Sequence, residues 1–321
     1  MILPDYPFRV EFEINSVCNL DCVYCYAKPF THRTPSIEDL KFLFKKTHEE
    51  ANPFEVVLLG GEPFMRKDII EVIEEATKIF EHGIGISTNG TMLNRLSEEQ
   101  LSRLRTAVYD GSSLQVSLDS LNPLINNQTR GGGDATMKGL DVLESHTIPF
   151  SVGIVLTTIN QDDVLQTVKS LLLKYRYLKM LNLEPLRPAA SLDLDRYLRL
   201  RLNSKKMIEI YEGAKRLVTE LNRNDVSIRG VLVDRSDIKD GKAPLLDTYD
   251  FRTCTAGLLR AGVLADGTVT PCVTIRNIKL GNLYFESWKE IWDRSKKRFL
   301  QLGEIGGQCV MNLLKDGNKK R

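Results

Sequence analysis

Residues 8–25 read Phe8-Arg-Val-Glu-Phe-Glu-Ile-Asn15-Ser-Val-Cys18-Asn-Leu-Asp-Cys22-Val-Tyr24-Cys25. A β-rich run passes directly into a loop carrying three cysteines in C-x3-C-x2-C spacing. Outward from this stretch, to about residue 185, short β-rich runs alternate with helical ones. The strand candidates are Phe8–Asn15, Glu55–Leu59, Ile84–Thr88, Leu114–Asp119, Ser151–Thr157 and Lys179–Glu184. Val, Ile, Leu and Phe dominate them, as expected of parallel strands buried on both faces. Helices are predicted over Ile37–Glu50, Lys67–Phe80, Ser97–Thr106, Ala135–Ser145 and Asp162–Tyr175, with Ser36, Ser97 and Asp134 as caps. Six βα units in series give an α/β fold, a parallel sheet that curls into a partial (β/α)6-type barrel. Chemistry-bearing residues gather at the C-terminal ends of the strands, where such a barrel places its active site.

The 321 residues allow one large α/β domain of about 200–250 residues plus a smaller appendage. A net charge of +2 argues against nucleic acid or an anionic membrane as partner. No apolar run reaches the roughly 18 residues of a membrane span. Met1–Phe8 lacks the layout of a signal peptide. The expected setting is the cytoplasm, where clustered cysteines point to metal or catalysis rather than disulfides.

The six cysteines fall into two triplets: Cys18, Cys22 and Cys25, then Cys254, Cys272 and Cys309. Three thiolates on one loop can hold a cubic iron–sulfur cluster while leaving its fourth iron open to a ligand. A structural zinc site is the alternative, but its paired C-x2-C elements are missing and His32 is the only nearby fourth donor. Following the second strand is Gly60-Gly61-Glu62-Pro63. Glycines allow close backbone approach to a ligand, and a carboxylate beside them can accept from an ammonium group. Ser87-Thr88-Asn89-Gly90 ends the third strand and Ser117-Leu118-Asp119-Ser120 the fourth, with Arg130 shortly after.

With these motifs in register, the chain resembles the radical S-adenosylmethionine (SAM) superfamily over about residues 8–220. The cysteine loop matches that family's cluster loop, including the aromatic Tyr24 before the third cysteine. The resemblance implies a [4Fe–4S] cluster on Cys18, Cys22 and Cys25, with SAM chelating the open iron. An electron from the cluster then cleaves SAM to methionine and a 5′-deoxyadenosyl radical, which takes hydrogen from a substrate. It also implies that Gly60, Gly61, Glu62 and Pro63 bind the SAM amino group. Ser87, Asn89, Ser117 and Asp119 suit its ribose and carboxylate, Arg130 its carboxylate, and the strand Gly153–Thr157 its adenine.

Beyond Ser204–Asn222, a long amphipathic helix, the texture changes. Gly262–Leu264 and Thr268–Pro271 flank Asp266-Gly267, a hairpin signal, and a helix from Glu286 to about Leu300 carries Trp288, Ile291 and Trp292 on one face. This order, with Cys254, Cys272 and Cys309, resembles the C-terminal SPASM extension or its shorter twitch form. The implied organisation is a radical SAM core over 1–225 and an auxiliary-cluster extension over 226–321. Three cysteines allow one auxiliary [4Fe–4S] cluster; Asn312 stands where a fourth cysteine is usual, and Asn312 or Asp316 are the nearest substitutes. The alternatives are an open iron or a lost cluster. The resemblance implies an oxygen-sensitive oxidoreductase or maturase served by a flavodoxin or ferredoxin. Its substrate is a peptide or protein side chain, with a separate peptide-recognition protein as possible partner, or else a small molecule. His32, His48, His82 and His146 share no ligand spacing and read as surface residues, and Trp288 with Trp292 reads as a core face.

Overall fold

The computed structural model describes residues 4–28, 31, 33–187, 192–230 and 256–303. Six parallel strands follow one another through the sheet: β1 (Arg9–Asn15), β2 (Glu55–Gly60), β3 (Gly85–Thr88), β4 (Ser113–Ser117), β5 (Phe150–Leu156) and β6 (Leu178–Pro185). Between them lie α1 (Ile37–Ala51), α2 (Ile69–Ile79), α3 (Glu98–Tyr109), α4 (Pro123–Thr129), α5 (Gly133–Ser145) and α6 (Val164–Lys174), while α7 (Leu194–Leu200) and α8 (Ser204–Glu220) follow β6. The predicted partial (β/α)6 architecture is therefore the one observed. Short α4 and α7 went unread because seven residues hold too little periodicity to register.

Local chemistry explains the boundaries. Ser36 and Ser97 each close a capping box, with Asp39 and Gln100 reaching back to the cap N–H. Asp134 is not a cap: α5 starts at Gly133, two residues earlier than predicted, and Asp134 sits in its first turn, where a carboxylate favours the helix dipole.

The sheet runs past both ends of the six-strand set. Strand β7 (Ser227–Gly230) pairs parallel with β6, just beyond the expected 225/226 division. At the other edge β8 (Arg260–Val263) pairs parallel with β1, Arg9 opposite Arg260 and Phe12 opposite Val263. Strands β9 (Thr268–Thr270) and β10 (Gly281–Asn282) complete the ten-stranded order antiparallel to their neighbours. The β8–β9 hairpin turns at Asp266-Gly267, where Gly267 takes φ +78°. Helix α9 (Trp288–Gly303) docks on α1: Trp288 is fully buried, its indole N–H donates to Thr47 Oγ1 at 3.0 Å, and its backbone N–H donates to Glu50 at 2.7 Å.

One strand departs from expectation. Val10, Phe12 and Ile14 of β1 face the helices, with Phe12 edge-on to Phe44 at 5.0 Å. The alternate residues Glu11, Glu13 and Asn15 are just as buried, yet polar. Strands buried on both faces are apolar on both only where the inner face is packed solid; here it borders a cavity. Among the described residues no helix is long and apolar enough to cross a membrane.

Candidate functional site

A cavity of about 330 Å³ opens at the C-terminal ends of the strands. Its wall includes Cys18, Cys22, Tyr24, Cys25, Gly60, Gly61, Glu62, Ser87, Asn89, Ser117 and Arg130, so eleven residues singled out in sequence meet around one space. Val155 of β5 joins them, on the strand expected to line adenine.

The cysteine loop is pinned from below. Gly61 N–H donates to Asn15 O at 2.6 Å and Glu62 N–H to Val17 O at 2.7 Å, while the Asn15 side chain returns a bond to Glu62 O at 2.9 Å. This contact explains the glycine pair. A Cβ on Gly60 would lie 2.1 Å from Asn15 O, and one on Gly61 2.1 Å from Val17 O. The close approach that the glycines permit is to the cysteine loop's own backbone, in addition to their place on the cavity wall.

Glu62 is completely buried. Its carboxylate accepts from Thr88 Oγ1 at 2.5 Å, Asn89 N at 2.6 Å and Phe64 N at 3.0 Å, so it ties the turn after β2 to the end of β3. Burial pushes its pKa up to about 7, against the pull of those hydrogen bonds. Pro63 is buried behind it, starting a single 3-10 turn, and is not on the cavity wall. Asn89, expected to face a ligand, is engaged within the protein. Its Nδ2 donates to Asn19 Oδ1 at 3.0 Å and lies 3.8 Å from Cys18 Sγ, while its Oδ1 accepts from Thr91 N and Thr91 Oγ1.

Asp119 also differs from expectation. It is fully buried and off the cavity wall, accepting from Arg130 Nε at 2.9 Å, Val155 N at 3.0 Å and the Tyr24 hydroxyl. The Arg130 guanidinium lies 5.4 Å from the Tyr24 ring centroid. Asp119 therefore positions Arg130 and Tyr24, and these two reach the cavity. Ser87 and Ser117 are half-buried on its wall.

The three thiols share a wall rather than a point: among the described residues no three His, Cys, Asp or Glu side chains converge closely enough to hold a single metal ion. Leu20 N–H points at Cys18 Sγ from 3.4 Å, and the Asn89 amide approaches the same sulfur. Such N–H groups suit an anionic sulfur. Burial pushes Cys22 up to about 11, with Arg130 opposing it and the other thiols adding to it. A thiol in that state keeps its proton in neutral water and would release it to solvent on coordinating a metal. The donor set, the N–H groups and the open space beside it fit an iron–sulfur cluster.

Cys272 is buried and lines the same cavity from the far side, next to Val273 and Thr274. Cys254, Cys309, Asn312, Asp316 and His32 lie outside the described residues. His48 is half-buried against Phe80 rather than on the surface, and His146 pairs with exposed Glu98 at 3.1 Å. Sequence reasoning missed a third part of the wall: Arg9, Glu11, Glu184, Arg187 and Arg260. The alternation Arg9-x-Glu11-x-Glu13 was the available signal, since a strand beside a solid core would not carry it.

Comparison with known proteins agrees with this geometry. Residues 12–171 match the radical SAM superfamily model, and residues 254–309 match the SPASM iron–sulfur cluster-binding domain. The chain belongs to the radical SAM superfamily and carries a SPASM C-terminal extension. It is thus a radical SAM enzyme, a class that uses a [4Fe–4S] cluster and SAM, with auxiliary iron–sulfur clusters in the SPASM domain.

An AdoMet-dependent heme synthase of Methanosarcina barkeri is 24% identical over 94% of this chain and 87% of its own length. The mycofactocin maturase MftC of Mycolicibacterium smegmatis is 30% identical over 58% of this chain, an alignment spanning 46% of MftC. The sporulation killing factor maturation protein SkfB of Bacillus subtilis is 26% identical over 92% of this chain and 67% of SkfB. In fold, the chain matches Streptococcus suis SuiB, solved with its precursor peptide SuiA, with TM-score 0.70 at 14% identity, covering 90% of this chain and 65% of SuiB. It matches anSMEcpe with bound AdoMet with TM-score 0.68 at 20% identity, covering 92% and 84%.

Proposed function

We propose that this enzyme modifies a peptide or protein side chain, with its reaction chamber in the cavity between the cysteine loop and strand β8. The observation that carries the chamber is that Cys18, Cys22, Cys25 and the Gly60–Glu62 turn share one cavity with Cys272 of the extension. The peptide class is our reading of the likeness to SkfB, a sporulation killing factor maturation protein, and MftC, a mycofactocin maturase.

In this reading Cys18, Cys22 and Cys25 hold the catalytic cluster, and Cys272 holds an auxiliary cluster with Cys254 and Cys309. When bound, cluster and SAM together supply a 5′-deoxyadenosyl radical that removes hydrogen from the substrate. The chain's own residues do the positioning. Gly60, Gly61 and Glu62 receive the SAM ammonium group, a carboxylate with three protein donors still having lone-pair capacity for a cation. Arg130, fixed through Nε by Asp119, turns its remaining N–H groups to the SAM carboxylate. Ser87 and Ser117 face the ribose, and Val155 the adenine. Asn89 holds the cluster loop through Asn19. The electron comes from a flavodoxin- or ferredoxin-type donor, and the setting is the cytoplasm.

A second reading is favoured by one observation: the heme synthase aligns over nearly its whole length, so a small-molecule substrate fits this chain length as well. A short precursor peptide encoded beside the gene separates the two, its presence favouring the peptide reading. For the core reaction, protein reconstituted anaerobically with iron and sulfide should form 5′-deoxyadenosine from SAM and dithionite. None formed, with the cluster verified spectroscopically, overturns the reading. Replacing Cys18, Cys22 and Cys25 together with alanine should leave residual iron on the second triplet; a folded variant without iron overturns the auxiliary cluster.

A further inference from the structure

The wall opposite the cysteine loop is built from charged residues that the proposed reaction does not use. Arg9 donates through Nε to Glu11 Oε1 at 2.9 Å and through Nη1 to Glu55 at 2.6 Å. Arg187 pairs with Glu184 at 3.0 Å. Arg260, brought to the β1 edge by the parallel β8 register, lies with Nε 3.8 Å from Glu11 Oε1 and contacts the Cys272 thiol. Three guanidinium groups thus pair with three carboxylates, of which Glu55 lies off the cavity wall, and the cluster as a whole carries no excess charge to draw an ion.

What this wall retains is hydrogen-bonding capacity. Glu11 is only 3% exposed, yet its Oε2 has no hydrogen-bond partner among the described residues, and neither has Arg260 Nε, whose nearest carboxylate oxygen lies beyond hydrogen-bond reach. Buried polar groups of this kind are normally satisfied, and both residues line the cavity. One open acceptor beside one open donor, in a neutral cluster, complements a group that offers an N–H and a C=O side by side. A carboxylate would satisfy Arg260 but repel Glu11, and an ammonium group the reverse.

We propose that Glu11 and Arg260 form an amide-recognition pair that holds the substrate, Glu11 Oε2 accepting an N–H and Arg260 Nε donating to a C=O on the same edge, as a primary carboxamide or one residue of an extended peptide backbone presents them. The inference rests on the cavity being the reaction chamber and narrows its substrate to one presenting a peptide bond or a carboxamide there. Both are positioning residues; neither touches the hydrogen that is removed.

Saturation-transfer NMR on the cluster-loaded, SAM-bound enzyme tests this with four probes: N-acetylglycine N-methylamide, propionamide, methyl propionate and propionate. At least one amide should give a signal threefold or more above the ester and the carboxylate. A stronger secondary amide marks a peptide backbone, a stronger primary amide a carboxamide group. Arg260→Lys, which keeps the charge but loses the Nε donor, should lower the amide signal at least threefold. If that variant fails to fold by circular dichroism, Glu11→Leu, which removes the acceptor, is expected to show the same loss. An ester or carboxylate that equals the amides, no signal from any probe, or an amide signal unchanged in the folded variant overturns the pair. Failure of the wild type to form 5′-deoxyadenosine would instead count against the enzyme reading, because the NMR measurement needs no turnover.

Discussion

Arg130 Nε and Asp119 Oδ1 lie 2.9 Å apart, with the Arg130 side chain 12% exposed and that of Asp119 completely buried. The pair is the hinge of the site: one carboxylate fixes an arginine, a tyrosine hydroxyl and a β5 amide at once. Removing one partner of a buried ion pair leaves the other uncompensated, at a cost of about 3–5 kcal/mol. Asp119→Ala should therefore lower the urea midpoint by that much stability and also weaken SAM binding, read by equilibrium dialysis. Asp119→Asn, which keeps an acceptor, should lose less stability.

Glu62 sets a pH dependence. Its pKa in the fold, raised to about 7 by burial, exceeds the ordinary 4.5, so the neutral form is the one the fold prefers. Its contribution is complete below about pH 4.5 and is lost as pH rises through 7, a change of about 3 kcal/mol at ~1.4 kcal/mol per pH unit. Cluster-free Glu62→Gln should lose this decline between pH 5 and 8 in urea titrations. An unchanged profile would place the pH dependence elsewhere.

Gly61→Ala brings a Cβ to within 2.1 Å of Val17 O, a backbone atom that cannot rotate away. The expected cost is at least about 3 kcal/mol, at the upper end for overpacking. Iron content after reconstitution should fall with it, because Val17 immediately precedes Cys18.

Trp288 anchors the last described helix. Trp288→Ala removes a fully buried indole and its bond to Thr47, and should cost about 3–5 kcal/mol in thermal or urea unfolding. Trp288→Phe keeps the ring but leaves Thr47 Oγ1 without its donor, and should cost about 1–2 kcal/mol.

The sequence made the repeating part of this molecule legible. Six strands and five intervening helices each carried enough apolar periodicity to be read, and the cysteine spacing with Gly60–Pro63 located the cavity. What escaped reading depends on partners far apart in the chain. Asp119 looks like a ligand contact until Arg130, Tyr24 and Val155 are seen to converge on it. Asn89 looks available until Asn19 and Thr91 engage it. Glu11 and Glu13 look anomalous in a core strand until Arg260 and Arg276, the latter 263 residues from its partner Glu13, arrive beside them. Local pattern records which face a residue takes; it holds no record of a neighbour that only folding supplies.

The pairing of β1 with β8 bears on how the protein is made. During synthesis β1 leaves the ribosome before the other described strands of this sheet, and β2 can cover one of its edges early. The other edge, along Arg9–Phe12, has no ladder until Arg260–Val263 is translated. Through most of elongation the nascent chain therefore holds an open strand edge with carboxylates on its inner face. Exposed edges of this kind recruit other chains, and inward charges are one of the features that discourage it. The same glutamates that line the chamber are thus placed to guard the growing polypeptide until its own C-terminal third arrives to close the sheet.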